Sequence, residues 1–296
     1  MLDILLEKHR KWLNGEPEPD GQQLILMFNN LDRVNFRNAD LRKARIIGCS
    51  MKHCNFSDTN LSEADLSGTS FDYSNFRNAI LENAEISQTT FNHADLSYTD
   101  LRVRPSKKVE FCSATMQNTN MRGIQLENAN FSYAQMESAV LENAELTKDV
   151  SFWECNLVNS QWQGAKLIGA IVLDFADLRN ANLDNVAIKG ISAGMRIQAK
   201  RTIFQNTSMK NMEIELFVGE EVNFSGANLS GAVIRNSYLR NSEFRYAILV
   251  GTTLNGVEFH LCNFTGTVFS MCRTEKTLFE PLDPLQISNS PFQSIG

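Results

Sequence analysis

A spacing of five limits what this chain can fold into more than any other feature. From Leu31 to Leu101 every fifth residue is Leu, Ile, Met or Phe: Leu31, Phe36, Leu41, Ile46, Met51, Phe56, Leu61, Leu66, Phe71, Phe76, Leu81, Ile86, Phe91, Leu96 and Leu101. Hydrophobic residues make up 43% of the chain, so composition alone does not produce such a run. Two residues before each centre stands a small or β-branched side chain, as in Val34, Ala39, Ala44, Cys49, Cys54 and Thr59. Asn or Asp often lies between them, as in Asn35, Asp40, Asn55 and Asn60. A period of five fits neither the 3.6-residue repeat of a helix nor the two-residue alternation of a flat strand. It fits a square coil in which each side points one large and one small side chain inward before the chain turns a corner. Four sides make about twenty residues per coil, and residues that far apart stack at about 4.8 Å through backbone hydrogen bonds. One predicted inner column is Leu31, Met51, Phe71, Phe91, Phe111 and Phe131, and the next is Phe36, Phe56, Phe76, Leu96, Met116 and Met136. Ring stacking then adds to burial in the Phe columns.

The register resumes at Phe111 and runs to Leu146. It slips by one residue near Lys148 and Asp149, giving Phe152, Leu157, Trp162 and Leu167, and again near Gly169, giving Leu173, Leu178, Leu183 and Ile188. A one-residue slip is most simply a bulge at a corner. After an irregular stretch the period returns at Phe204 and holds, with gaps, to Phe279. Proline supplies an independent check, because stacked coils need backbone N–H groups. The six prolines, Pro17, Pro19, Pro105, Pro281, Pro284 and Pro291, all fall outside the regular repeats.

These residues resemble the pentapeptide-repeat family, whose consensus is roughly A(D/N)LXX. Close matches are Ala39-Asp40-Leu41, Ala64-Asp65-Leu66, Ala94-Asp95-Leu96, Ala129-Asn130-Phe131, Ala176-Asp177-Leu178, Ala181-Asn182-Leu183 and Ala227-Asn228-Leu229. The resemblance covers most of residues 24–280. It implies an all-β solenoid, a right-handed quadrilateral parallel β-helix of about twelve coils. It implies little about function, since one solenoid serves many roles.

A solenoid exposes edge strands at its ends and needs caps. Residues 2–14 read as an amphipathic α-helix with Leu2, Leu5, Leu6, Trp12 and Leu13 on one side and Gly15 as its stop. This predicts a short N-terminal helical cap, followed by a linker to residue 23. The leader also resembles the N-terminal segment of some prophage-associated members of the family. The expected organisation is helix and linker over 1–23, a first solenoid block over 24–188, an irregular basic segment acting as a hinge over 189–203, a second block over 204–280 and a tail over 281–296, a cap or a disordered end.

Two interruptions carry positive charge. Residues 102–108 contain Arg102, Arg104, Lys107 and Lys108 around Pro105, and replace one side of a coil without changing the residue count. Residues 189–201 contain Lys189, Arg196, Lys200 and Arg201. These eight cations are the expected partner-contact residues. No catalytic, metal or cofactor set is expected. Cys49, Cys54, Cys155, Cys262 and Cys272 sit at the small inward position, where Cys acts as a small hydrophobe. His53 and His93 share an outward side but lie two coils apart, about 10 Å, too far for one metal ion. The repeated Asp and Asn recur at every corner, where their task is to hydrogen-bond the turn backbone. No phosphate-binding loop, dinucleotide fingerprint or nucleophile elbow occurs.

With 28 Lys+Arg against 34 Asp+Glu the net charge is −6, which argues against a general nucleic-acid binder. No stretch of about 18 apolar residues is present, so no membrane helix is expected. The N-terminus lacks a signal peptide's long apolar core, which makes the cytosol the default compartment and leaves export as an effector open. The first functional expectation is a non-catalytic protein-binding scaffold from a bacterial or phage setting. A second reading is a DNA mimic that binds DNA gyrase or topoisomerase IV, of the quinolone-resistance type. Its charge is thin, since residues 31–101 carry 10 acidic and 7 basic residues. A third reading is a filament or tail component.

Overall fold

The computed structural model describes residues 2–192 and 194–281. The tail read as 281–296 lies, apart from the backbone of Pro281, outside the described residues. The chain divides into two units, one ending at Val140 and the other beginning at Leu141.

In the first unit, helix α1 (Leu2–Leu13) precedes a parallel β-solenoid whose longer strands are β1 (Ile25–Met27), β2 (Arg45–Ile47), β3 (Ser106–Glu110) and β4 (Gln125–Asn130). Single-residue parallel bridges join the remaining sides, for example Asn35 to Asn55, Asn55 to Asn75 and Asn75 to Asp95. The register is the predicted twenty: Ile25 pairs with Arg45, and Ser106 with Leu126. Most corners take a residue with positive φ two positions past the inward centre, as at Asn38, Asn78, Asn83 and Asn118, while Val103, after Leu101, does not. Asn tolerates that conformation better than most residues. The preceding Asn or Asp closes the turn as expected. Asn35 Oδ1 accepts from the Arg37 N–H at 3.1 Å, and Asn75 Oδ1 from that of Arg77 at 2.9 Å.

The inward columns are those read from the sequence. Phe36, Phe56 and Phe76 stack at 4.8 Å, and Phe71, Phe91 and Phe111 at 5.4 Å. Edge-to-face contacts, such as Phe71 with Phe76 at 5.1 Å, tie the two columns together. The second inward position has a rule the sequence did not show. Its hydroxyls donate to the carbonyl of the large residue in the preceding coil: Thr59 to Phe36 at 2.8 Å and Thr99 to Phe76 at 2.8 Å. Cys54 does the same to Leu31, with Sγ 3.1 Å from the oxygen. Cys there is therefore a hydrogen-bonding substitute for Ser or Thr as well as a space filler. Desolvation raises the thiol pKa of Cys54 and takes those of Cys262 and Cys272 to about 11, so these side chains stay protonated donors. Replacing Thr99 by Val, which keeps shape but removes the donor, is expected to cost about 1 kcal/mol in urea unfolding, with Thr99→Ser close to the parent.

In the segment 102–108 the chain keeps its place in the ladder. Ser106, 5% exposed, occupies the inward position between Ile86 and Leu126. The Ser106 hydroxyl turns back to the Arg104 carbonyl at 2.8 Å, which lets a polar residue stand where the period demands an apolar one.

The second unit is again a parallel β-solenoid, with β5 (Glu145–Ser151), β6 (Lys166–Val172), β7 (Ala187–Lys189), β8 (Ile197–Lys200), β9 (Glu213–Glu215), β10 (Phe217–Glu220), β11 (Val233–Arg240), β12 (Thr253–Cys262), β13 (Arg273–Glu275) and β14 (Leu278–Pro281). The two one-residue slips fall on the same side of successive coils. There β5 and β6 pair residue for residue from Glu145–Lys166 to Ser151–Val172. The extra residue is thus shared by two neighbouring strands, and Gly169, at φ +132°, absorbs it. The next coil carries a larger excursion on the same side. The chain leaves after Lys189 and rejoins at Ile197, which pairs with Ile171. Between them Ile191 N–H donates to the Met195 carbonyl at 2.8 Å, and Met195 N–H to that of Ser192 at 2.9 Å. Beyond it the register of twenty returns, with Phe217 opposite Ile197 and Val233 opposite Thr253.

Candidate functional site

With the core closed by stacking, the residues free to meet a partner are those at corners and on outward sides. The corner geometry puts residues twenty apart in sequence directly above one another. In the first unit one corner column contains His53, Tyr73 and His93, each with φ near +60°. Their rings stack face to face, with centroids 5.0 and 4.7 Å apart and interplanar angles of 14° and 6°. Tyr73 remains 53% exposed. The following corner carries Asn78 and Tyr98 in one column, and the Arg77 guanidinium lies 4.7 Å from the Tyr98 ring centroid. Stacking fixes these side chains before any partner arrives, so ordering them on binding costs little. Sequence reasoning placed His53 and His93 on one side but tested them only as metal ligands. The signal it passed over is the Tyr set midway between them at the coil period.

The eight predicted cations are spread over both units, four in each. In the first unit Arg102 forks onto Asp100, with Nη2 2.6 Å from one carboxylate oxygen, and also lies 3.2 Å from Glu82. The hydrogen bond and charge of Asp100 raise the pKa of Arg102 further. Arg104 folds back along a corner, donating to the Asn83 carbonyl at 2.8 Å and the Glu63 carbonyl at 3.3 Å. Lys107 and Lys108 are exposed and have no carboxylate partner among the described residues. In the second unit Lys189 pairs with Glu213 and holds its carboxyl below the usual range. Lys200 lies 3.3 Å from Glu220, and Arg201 2.5 Å from Glu221. Arg196 is exposed and has no carboxylate partner among the described residues.

The acidic residues are interleaved in the same way. In the first unit Asp40 pairs with Arg42, Asp58 with Arg37, Glu63 with Lys43 and Asp72 with Lys52. In the second, Glu145 pairs with Lys166, Asp177 with Arg179 and Glu243 with Arg245. Residues 1–140 carry 18 acidic against 15 basic groups, and residues 141–296 carry 16 against 13. No group of three or more His, Cys, Asp or Glu able to hold a metal ion occurs among the described residues. No helix among them is long and apolar enough to cross a membrane.

Two family models match most of the chain. Residues 28–101 match the family model described as a pentapeptide repeat region. Residues 109–147, 148–185 and 223–260 match the model described as pentapeptide repeats (8 copies). No curated protein matches the chain. Among solved structures, the chain is similar to HetL, a pentapeptide repeat protein involved in heterocyst differentiation regulation from the cyanobacterium Nostoc, at 18% identity over 89% of this chain and 92% of that one, with a TM-score of 0.30. It is also similar to trypsin-treated QnrB1, a plasmid-mediated fluoroquinolone resistance protein, at 20% identity over 80% of this chain and 92% of that one, with a TM-score of 0.26. A third similarity is to the A-module of the mannuronan C-5 epimerase AlgE4 from Azotobacter vinelandii, at 6% identity over 96% of this chain and 94% of that one, with a TM-score of 0.31.

Proposed function

We propose that this chain, which belongs to the pentapeptide-repeat family, is a non-catalytic scaffold that binds another protein through the aromatic corners of its first unit. The observation that carries this reading is the exposed stack of His53, Tyr73 and His93, with Arg77 and Tyr98 on the following corner. Tyr and Arg are the residue types that dominate binding energy in protein interfaces, and here they are held in place beforehand. Of the four predicted cations in that unit, Lys107 and Lys108 keep no carboxylate partner among the described residues and are available for polar rim contacts. The pairing of carboxylates with Arg and Lys in both units supports a protein partner over mimicry of duplex DNA, which carries one negative charge per about 1.7 Å.

The experiment is affinity capture by the purified full chain from a lysate of its source organism, followed by titration of the captured protein. The double substitution Tyr73→Ala/Tyr98→Ala is expected to weaken binding by about 100-fold, the effect of losing two anchors of ordinary strength, with an unchanged melting temperature. Unchanged affinity would remove the aromatic corners from the interface, and a chain that captures nothing saturable would count against the scaffold reading.

A further inference from the structure

The buried side chain that the scaffold reading leaves unused is His9. It is the only buried residue of α1, with 0% exposure. Its ring joins three parts of the first unit. Nδ1 accepts from the Leu24 N–H at 3.0 Å, and Nε2 lies 3.1 Å from the Arg42 carbonyl oxygen. A backbone N–H can only donate and a carbonyl can only accept. The partners therefore fix the tautomer: Nδ1 is bare, Nε2 carries the proton, and the ring is neutral. Trp12 stacks on it at 5.5 Å.

Beside His9 the helix half-buries Leu6, Trp12 and Leu13, and its further polar contacts are few. Gln22 N–H donates to the Lys8 carbonyl at 3.0 Å, and Gln23 Nε2 reaches the Lys43 carbonyl at 2.7 Å. Grooves of about 430 and 290 Å³ run beside the helix, one between Leu6 and the corner at Phe36–Asp40, the other between Trp12 and Leu24. The coil beneath has an unfinished edge. In the second coil Asn55 donates to the Val34 carbonyl and accepts from the Phe36 N–H, so both its backbone groups point toward the N-terminus. The equivalent groups of Asn35 have no backbone partner among the described residues.

We propose that His9 is an acid-sensitive latch: a proton on Nδ1 sets N–H against the Leu24 N–H, and the helix lets go of the first coil. Nearby charges do not cancel this. Asp40 favours the imidazolium and Arg42 opposes it, and the two are bound to each other at 2.7 Å. On the helix itself Glu7 and Arg10 pair on the exposed side, and Lys8 faces a groove shared with Glu18. Burial outweighs all of these and lowers the His9 pKa from its ordinary value of 6.5. The docked helix thus binds the proton more weakly than the released one. The cap is at full strength above pH 6.5, weakens as pH falls below it, and stops weakening below the docked pKa. Within that window the ratio of docked to released helix falls by about tenfold per pH unit, as a single proton requires.

The test is hydrogen exchange of the full chain, corrected for intrinsic rates, between about pH 7.5 and about pH 4.5, with the His9 ring proton followed by NMR. Amides of residues 2–13 are expected to lose protection with that slope while those of the second unit keep theirs. His9→Gln offers an acceptor and a donor without titrating, and is expected to remove the pH dependence. His9→Leu, with neither bond, is expected to leave residues 2–13 unprotected at every pH while the coils stay folded. Protection that is flat across the range in the parent chain, or that falls equally in His9→Gln, overturns the latch.

Discussion

Gly169→Ala is expected to lower the stability of the unit that begins at Leu141 by about 3 kcal/mol or more, the scale of a backbone placed where only glycine fits. Gly169 sits at φ +132°, outside the corner conformation that Asn and other residues adopt throughout this fold. A Cβ there would lie 2.3 Å from the Lys148 carbonyl oxygen and 2.8 Å from its Cα. Both are backbone atoms of the paired strand, and the pairs Thr147–Ile168 and Asp149–Ala170 on either side keep that strand from moving away. The informative control is Gly251→Asn. Gly251 has φ +66° and open space where a Cβ would stand, and Asn211, two coils earlier in the same corner column, adopts φ +54°. That change is expected to stay within about 0.5 kcal/mol of the parent. Urea denaturation of the two variants decides the matter. If Gly169→Ala unfolds with the parent, the shared extra residue of β5 and β6 is not held by backbone geometry as described.

Most of the core was legible because one rule, a large inward residue every five, is written in residue types. Phe36, Phe56 and Phe76 announce their stack by type and spacing alone. Ser106 was not legible as an inward residue, since its side chain belongs there only because it can bond back to the Arg104 carbonyl. The surface was less legible because its rule is a spacing of twenty that has to be carried outward from the core. Lys200 and Arg201 meet Glu220 and Glu221 at that interval, which the sequence does contain. Lys189 meets Glu213 at a longer interval, set by the excursion before Ile197, which no local pattern reveals. His9 had no signal at all: an isolated His in a charged helix gains its meaning only from the two backbone groups that the first coil presents to it.

Phe91→Ala is expected to destabilise the first unit by about 3–5 kcal/mol, the cost of removing a buried Phe side chain and leaving a cavity. Phe91 is fully buried, stacks on Phe71 and Phe111 at 5.4 Å on either side, and meets the edge of Phe76 at 5.4 Å. The coil above and the coil below are tied to it by backbone bonds, such as Phe91 N–H to the Glu110 carbonyl at 2.7 Å, so the cavity has little room to collapse. Phe91→Leu separates the two contributions. Leu restores most of the volume but none of the ring contacts, and aromatic pairs contribute about 0.5–1.5 kcal/mol each beyond burial. A loss of about 1–3 kcal/mol is therefore expected for Phe91→Leu, between the parent and Phe91→Ala. Phe28→Ala serves as the contrast: its ring is 78% exposed over Gly48, and its removal is expected to change stability by less than about 0.5 kcal/mol. Because each coil touches only its neighbours, the loss at Phe91 is expected to appear first in the amides of the adjoining coils. Hydrogen exchange reads that gradient directly. A uniform loss across the first unit would mean that its coils unfold as one block, and that the Phe column sets the stability of the whole unit rather than of its own neighbourhood.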